Sequence, residues 1–190
     1  MHTPIHGIIE EIREALTGAF SRIDAWFDRP ESERRYKPAG GWSIDAVLEH
    51  VALTNHFLLI LVDKGGRKAL EAAQKTQLSE ALADYRFHRD ALLEVGRHGA
   101  FEWIRPEHME PKGKKPAEVR AELHEQLERS LAWLERLPNG EGALHKTTMS
   151  VNALGKIDVY EYLYFIAQHA RRHETQLGRI ASEYQKRAHQ

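Results

Sequence analysis

The stretch from 158 to 184 constrains the fold more than any other part of the chain. On a helical wheel of about 100° per residue, its inward side chains fall within an arc of roughly 80°. They are Val159, Tyr162, Ile166, His169, His173, Leu177, Ile180 and Tyr184. This pattern predicts an amphipathic helix that packs against a core, and Asp158 with Glu161 predicts a capping box at its start.

Two histidines occupy the centre of this stripe. His169 and His173 are separated by four positions, so both imidazoles project from the same face of the helix, about one turn apart. Two neutral imidazoles with that spacing can bind one metal ion. Alternatively, each histidine is a core residue that makes a hydrogen bond, and the spacing alone leaves both interpretations open.

The composition limits the class of protein. A chain of 190 residues predicts a single domain, 1–190, that is large enough to bury a core. Charged residues make up 29% and nearly balance, with a formal net charge of −1, so we expect no nucleic-acid partner. The sequence has no cysteine, which excludes disulfides, thiolate metal ligands and a cysteine nucleophile.

The distribution of apolar residues predicts a cytoplasmic protein without a membrane partner. The most apolar run, 47–62, is interrupted by Glu49, His50, Asn55 and His56, which is not typical of a membrane span. The first residues lack a basic region followed by an apolar segment, so we expect no signal peptide.

Helical periodicity predicts four principal helices. The first runs from about 4 to 28, the second from the N-cap Ser43 to a stop at Gly65 and Gly66, the third from about 117 to 137, and the fourth is the stretch described above. The connections differ in length, and no strand pattern competes with the helices. This organisation favours an all-α fold, a helical bundle.

The connections themselves are interpreted as loops and covering elements. We expect a loop over 29–41, one or two covering helices over 67–95, a long connection over 96–116, and irregular structure over 141–156. Long connections in a compact domain often cover a functional site.

The second helix repeats the anomaly of the last one, because His50 lies at the centre of an apolar face. A second apolar strip lies on roughly the opposite side of this helix and consists of Leu48, Val51, Ala52, Leu59 and Val62. A helix that is apolar on two faces is buried on both. We therefore expect this strip to lie under the 67–95 region or against a second subunit.

The remaining histidines do not form a comparable pattern. His56 is about 120° away from His50 around the helix, so the two cannot face the same ion. His2 and His6 are four positions apart, but Pro4 lies between them at a terminus that we expect to fray. The others are interpreted as surface or loop residues: His88, His98, His108, His124, His145 and His189.

If the second and last helices are neighbours, His50, His169 and His173 converge inside the bundle. Three neutral nitrogen donors suit Zn²⁺ or Ni²⁺ and leave at least one coordination position for water or a substrate. These three residues are therefore the candidate ligands of a divalent-metal site, with buried core histidines as the alternative.

Several short motifs resemble the DinB-like superfamily, and more narrowly the damage-inducible DinB family. They are Gly41-Trp42-Ser43 followed by His50, then Leu154-Gly155-Lys156, then Tyr162-Leu163 leading into His169 and His173. The resemblance spans almost the whole chain. It implies an up-down-down-up four-helix bundle, commonly a homodimer, whose three metal ligands match the three histidines.

The resemblance also implies a function, since several members of the superfamily use a low-molecular-weight thiol such as bacillithiol or mycothiol. They transfer this thiol to a small-molecule electrophile or use it in an isomerisation. A metal with an open position would bind the sulfur and lower its pKa, and a chain without cysteine fits an external thiol. Trp42 and Trp103 are candidate aromatic walls of the substrate site.

Two alternatives to a thiol-dependent transferase remain. The protein could be a non-catalytic, metal-binding dimeric module, or a metal-dependent hydrolase. The hydrolase is less favoured, because a zincin helix places a glutamate general base directly after its first histidine, and here that position is Ala170.

Overall fold

The structure is a computed structural model that describes residues 5–100 and 107–188. The helices in these ranges are α1 (Ile5–Asp24), α2 (Glu31–Arg35), α3 (Ile44–Ala73), α4 (Leu78–Ala81), α5 (Arg89–Val95), α6 (Pro116–Arg136) and α7 (Val159–Ala188). Two short strands, β1 (Lys146–Met149) and β2 (Gly155–Asp158), precede α7. The fold is all-α, as predicted, with this single hairpin added.

The long helices α1, α3, α6 and α7 form the bundle, and side-chain contacts fix their directions. Glu11 near the start of α1 accepts a hydrogen bond from Tyr164, while Arg22 near its end pairs with Glu174 at 2.7 Å. The earlier residue of α1 contacts the earlier residue of α7, and the later residue contacts the later one. Helices α1 and α7 are therefore parallel.

The other pairs complete the topology. Gln126 of α6 donates to the carbonyl oxygen of Ala52 at 2.9 Å, and Arg129 pairs with Asp63, so α3 and α6 are parallel to each other. In contrast, Asp24 at the end of α1 pairs with Arg120 near the start of α6. Helices α1 and α6 are therefore antiparallel, and the predicted up-down-down-up order is confirmed.

The start of α7 is the most deeply buried part of the bundle. Every residue from Val159 to Ala170 is buried. The predicted capping box is present, since the Asp158 amide donates to Glu161 at 3.0 Å and the Glu161 amide donates to Asp158 at 3.1 Å. This reciprocal pair satisfies two amides that the first turn leaves without helical partners.

The predicted end of the second helix at Gly65 and Gly66 was wrong, because α3 continues to Ala73. A Cβ placed on Gly66 would lie 2.4 Å from the indole ring of Trp133. The lack of side chains at these two glycines lets α6 and α7 pack closely against α3. The glycines therefore do not cap the helix. The 67–95 region holds two short helices, α4 and α5, after the end of α3.

Three further differences concern the connections. The segment 141–156, expected to be irregular, contains most of the β1–β2 hairpin, in which Lys146 pairs with Asp158 and Met149 with Gly155. Four-residue strands are too short to show a clear alternation. A short helix, α2, interrupts the expected loop over 29–41, and the expected end of the first helix is a 3₁₀ turn over 25–28.

The second apolar strip of α3 is buried within the chain. Leu48, Val51, Leu59 and Val62 have no exposed surface. The hydrogen bond from Gln126 to the carbonyl oxygen of Ala52 places α6 over this side of the helix. Both expected covers, the 67–95 region and a second subunit, were wrong for this strip.

By length and composition alone, α3 could cross a membrane. However, 61% of the most apolar 18-residue stretch of this helix is buried inside the bundle. That burial is typical of the core helix of a soluble protein.

Candidate metal centre

The structure brings His50 of α3 together with His169 and His173 of α7. One nitrogen of each ring lies within 4.8 Å of the others. All three side chains are buried, with exposed fractions of 5%, 0% and 9%. Among the described residues, this is the only group of three or more histidine or acidic side chains arranged to hold an ion.

Hydrogen bonds set the tautomers of two of these rings. Nδ1 of His50 donates to the carbonyl oxygen of Met109 at 2.9 Å, and Nδ1 of His173 lies 2.9 Å from Oε1 of Gln176. Because each partner is an acceptor, the hydrogen of each neutral ring is at Nδ1. Nε2 then carries the lone pair, which is the form that binds a metal.

The environment disfavours the charged form of His169 and of His173. Burial, followed by the charge of His50, lowers the pKa of His173 to about 3. Burial, with the charges of His173 and His50, also holds the pKa of His169 well below its usual value. Uncharged rings are required for metal binding, so the electrostatics of the pocket match the donor set.

The spacing of the rings also fits an ion. Nε2 of His169 and Nε2 of His173 are 3.0 Å apart. Imidazole ligands at about 2.0–2.1 Å from a tetrahedral ion lie roughly 3.3 Å from each other. The separation of this pair is therefore close to that of two ligands of one ion, and a nitrogen of His50 lies within 4.8 Å of a nitrogen of each.

Glu49, directly before His50, holds the segment that covers the site. Its carboxylate is 4% exposed and accepts hydrogen bonds from the amides of Lys112, Gly113 and Lys114 at 2.8, 2.9 and 3.1 Å. Gly113 adopts a left-handed conformation, with φ of 85°, that turns the chain around the carboxylate. This anchor fixes the segment whose Met109 oxygen orients His50.

A cavity of about 400 Å³ adjoins the histidines. The three imidazoles form part of its wall, and apolar side chains that include Phe57, Leu61, Met149 and Phe165 form much of the rest. Arg172 of α7 also lines it. The arrangement places an apolar binding space directly beside a candidate metal position.

The aromatic walls proposed from the sequence have different outcomes. Trp42 packs against the ring of His50, with centroids 5.0 Å apart, and is not part of the described cavity wall. Trp103 lies outside the described residues.

The other described histidines that were expected at the surface are exposed, His56, His88, His98, His108 and His124, although two of them also make contacts that were not expected. His56 is exposed, and His124 pairs with Asp24 at the surface. His98 also lines the cavity, and His88 also contacts the buried Glu161, with Nδ1 and Oε1 2.6 Å apart. His2 and His189 lie outside the described residues.

Sequence reasoning missed several residues that build this site: Glu49, Met109, Arg172 and Gln176. A signal exists for Gln176, which follows His173 by three positions and so lies beside it on the helix. Arg172 likewise follows His169 by three positions. No sequence pattern identifies Met109, because it contacts His50 through its main-chain oxygen and its position depends on Glu49.

The family model of the DinB superfamily matches residues 8–177. The matched range includes all three histidines. The chain has no significant match among curated proteins or among solved structures.

Proposed function

This chain belongs to the DinB superfamily, and we propose that it is a metal-dependent transferase that uses a low-molecular-weight thiol. In this proposal His50, His169 and His173 hold a divalent ion, Zn²⁺ or Ni²⁺. The observation that carries it is the convergence of three buried imidazoles beside an apolar cavity in a chain without cysteine.

The chemistry follows from the donor set. A divalent ion with three imidazole ligands keeps a coordination position for a sulfur atom and lowers the pKa of that thiol, so that a thiolate is present near neutral pH. The reacting sulfur comes from a ligand, because the sequence supplies no thiol of its own.

The residues of the chain bind and position the reactants. Met109 and Gln176 orient two of the imidazoles, and the segment anchored on Glu49 covers the site. The apolar wall around Phe57 and Phe165 offers a dry surface for the electrophile. Holding both reactants in one cavity is how such a site would accelerate conjugation.

A hydrolase is supported less well. Hydrolysis by a bound water usually requires a positioned general base, commonly a carboxylate. Within residues 5–100 and 107–188, no aspartate or glutamate lines the cavity. Metal-dependent thiol chemistry needs no such base for a simple conjugation.

The assay measures conjugation by the metal-loaded protein. We would combine bacillithiol, mycothiol, glutathione and coenzyme A with a panel of electrophiles, after reconstitution with zinc or nickel. Turnover is expected with wild type and with His56→Ala, an exposed control on the same helix. It should be lost in His50→Ala.

The opposite result has a clear meaning. If no thiol reacts faster than the uncatalysed background while the metal-loaded protein stays folded, the protein is a metal-binding module without this activity. We also propose that the protein is cytoplasmic, as the distribution of its apolar residues predicts, and that it acts as a homodimer, as the family resemblance implies.

A further inference from the structure

The stripe of α3 that lines the cavity continues beyond it with two lysines. The cavity-lining residues on this face of the helix are His50, Thr54, Phe57 and Leu61. At about 100° per residue, Lys64 and Lys68 fall within the same arc of roughly 80° as these four residues. One face of α3 therefore leads from the candidate metal position to two ammonium groups.

Both lysines lie close to the end of the cavity. Lys64 follows Leu61 by three positions, which is about one turn of the helix. Side chains of a helix tilt toward its N-terminus, so both lysines lean toward the cavity end of α3. Lys64 and Lys68 are four positions apart, and their charges can therefore act on a single group.

His145 joins the two lysines from the hairpin. A Cβ placed on Gly65 would lie 3.5 Å from Cδ2 of His145, so this imidazole packs over the main chain of α3 beside Lys64. His145 directly precedes β1, whose residues Thr148 and Met149 line the cavity. Helix α3 and strand β1 thus both connect the cavity to the same group of basic residues.

The charges of these lysines are not offset by salt bridges. Both side chains are exposed, and within the described ranges no salt bridge joins Lys64 or Lys68 to a carboxylate. Asp63, directly before Lys64, pairs with Arg129 of α6 instead. Burial, followed by the charges of Lys68 and Lys64, lowers the pKa of His145, which agrees with their proximity. The surroundings therefore favour an anionic ligand.

We propose that Lys64, Lys68 and His145, the basic cluster, bind the phosphate end of a long thiol whose sulfur lies at the three cavity histidines. This inference rests on the proposed thiol-dependent function and specifies its ligand. A phosphate carries up to two charges and several acceptor oxygens, so it suits two lysines and an imidazole that donates a hydrogen bond.

The distance along α3 determines the length of the ligand. From His50 to Lys64 the helix advances about 21 Å, so an extended arm must separate the sulfur from the phosphate. Phe57 and Leu61 lie between the two ends and offer an apolar surface to this arm. A thiol with a long, partly apolar arm and a terminal phosphate meets both conditions.

The test uses two thiols that differ only in the phosphate, pantetheine and 4′-phosphopantetheine. Each is titrated into protein loaded with Co²⁺, and binding is measured from the thiolate-to-cobalt charge-transfer absorption. At low ionic strength, wild type should bind the phosphorylated thiol about tenfold more tightly, because two exposed ion pairs each contribute modestly. The preference should decline as salt is added, since salt screens exposed charges.

A double variant shows whether the lysines are the cause. Lys64→Gln combined with Lys68→Gln should bring the two dissociation constants to near equality and leave that of pantetheine unchanged. The matched control combines Lys37→Gln with Lys186→Gln, which removes the same charge from exposed positions. Lys37 precedes α3 and Lys186 lies at the end of the antiparallel α7, so both are on the other side of the histidines from the basic cluster. This control should retain the wild-type preference.

A second measurement follows the imidazole of His145 in zinc-loaded protein. Its pKa is obtained from the NMR shifts of the ring protons, which are assigned by comparison with His145→Asn. A phosphate beside the ring favours its charged form, so saturating 4′-phosphopantetheine should raise the pKa of His145, whereas pantetheine should not. An unchanged pKa would refute the basic cluster as the phosphate site.

The outcomes separate this inference from the function on which it rests. If wild type binds both thiols equally, or if the variant without Lys64 and Lys68 keeps the full preference, the phosphate site is refuted and thiol binding stands. If neither thiol gives the absorption although cobalt is bound, both proposals are refuted.

Discussion

The main-chain oxygen of Met109 lies 2.9 Å from Nδ1 of His50 and accepts its hydrogen. The two residues come from distant parts of the chain, and Glu49 joins them by holding the amides of Lys112, Gly113 and Lys114. Orientation of one candidate metal ligand therefore depends on how well the covering segment is anchored. Partners of this kind commonly tune metal affinity.

Glu49→Gln should weaken both the anchor and the metal site. The amide of glutamine places an NH₂ group against main-chain donors, so part of the hydrogen bonding is lost. We expect stability to fall by about 2 kcal/mol and metal affinity to fall roughly 10–100-fold. Urea unfolding and competition with a chelator measure the two effects.

Glu122→Gln is the control for that variant. Glu122 pairs with Lys114 of the same segment, but both side chains are partly exposed. Loss of such a surface pair usually changes stability by less than about 1 kcal/mol. Metal affinity that is unchanged in Glu49→Gln would contradict the role given to the anchor.

Stoichiometric metal binding should require His169. Purified protein reconstituted with zinc or nickel should hold about one ion per chain, and His169→Ala should hold almost none because two imidazoles remain. His56→Ala, exposed and outside the cluster, should bind as wild type does. Elemental analysis that finds equal metal in wild type and His169→Ala would show that the assignment is wrong.

The metal-free protein should lose stability in acid through its buried histidines. The pKa of His173 is lowered from 6.5 to about 3, so the unfolded chain binds protons that the folded chain does not. The stability contributed by keeping His173 uncharged is therefore fully present above pH 6.5 and is lost as the pH falls from 6.5 toward 3. Denaturation from pH 7 to 4 should show a smaller decline in His173→Gln than in wild type. An equal decline would mean that His173 does not titrate in this way.

Asp158 should act in the opposite direction. Burial, reinforced by the charge of Glu161, raises the pKa of its carboxyl group from 3.8 to about 7. Its contribution to stability is complete below pH 3.8 and is lost as the pH rises through 7. Asp158→Asn keeps a good capping residue and removes the charge. In urea titrations, the free energy of unfolding of the variant minus that of wild type should therefore be larger at pH 8 than at pH 5. A relative loss at pH 8 would contradict the shift.

A homodimer is expected from the family resemblance, and α3 offers a place to test it. Ile60 is 46% exposed and is the one large hydrophobic side chain in the described ranges that is classed as exposed. Ile60→Arg should shift the dimer toward monomer, whereas Ala121→Arg, on the exposed side of α6, should not. Light scattering at micromolar concentration measures the mass, and a monomeric wild type would refute the dimer.

The parts of the fold that follow from side-chain periodicity could be predicted. The stripe around His169 and His173 identified α7 and its buried face, and the capping pair at Asp158 and Glu161 identified its start. The position of His50 in an apolar face pointed to the third member of the cluster. Periodicity succeeds here because burial of one face is a property of each helix taken alone.

Features that depend on contacts between helices could not be predicted. Gly65 and Gly66 have the composition of a helix end, and only the presence of Trp133 explains why the helix continues. Arg172 falls outside the apolar arc, so its place in the cavity wall depends on the elements that surround α7. Strands of four residues leave too little pattern for a hairpin to be recognised.

The indole of Trp133 occupies the space that a side chain at Gly66 would need. These two positions therefore cannot change independently during evolution. A larger residue at 66 requires a smaller one at 133, and a chain that lost the indole would tolerate alanine or serine at 66. In related sequences, the pair should consequently vary together, and its identity would indicate how closely α3 and α6 approach in each of them.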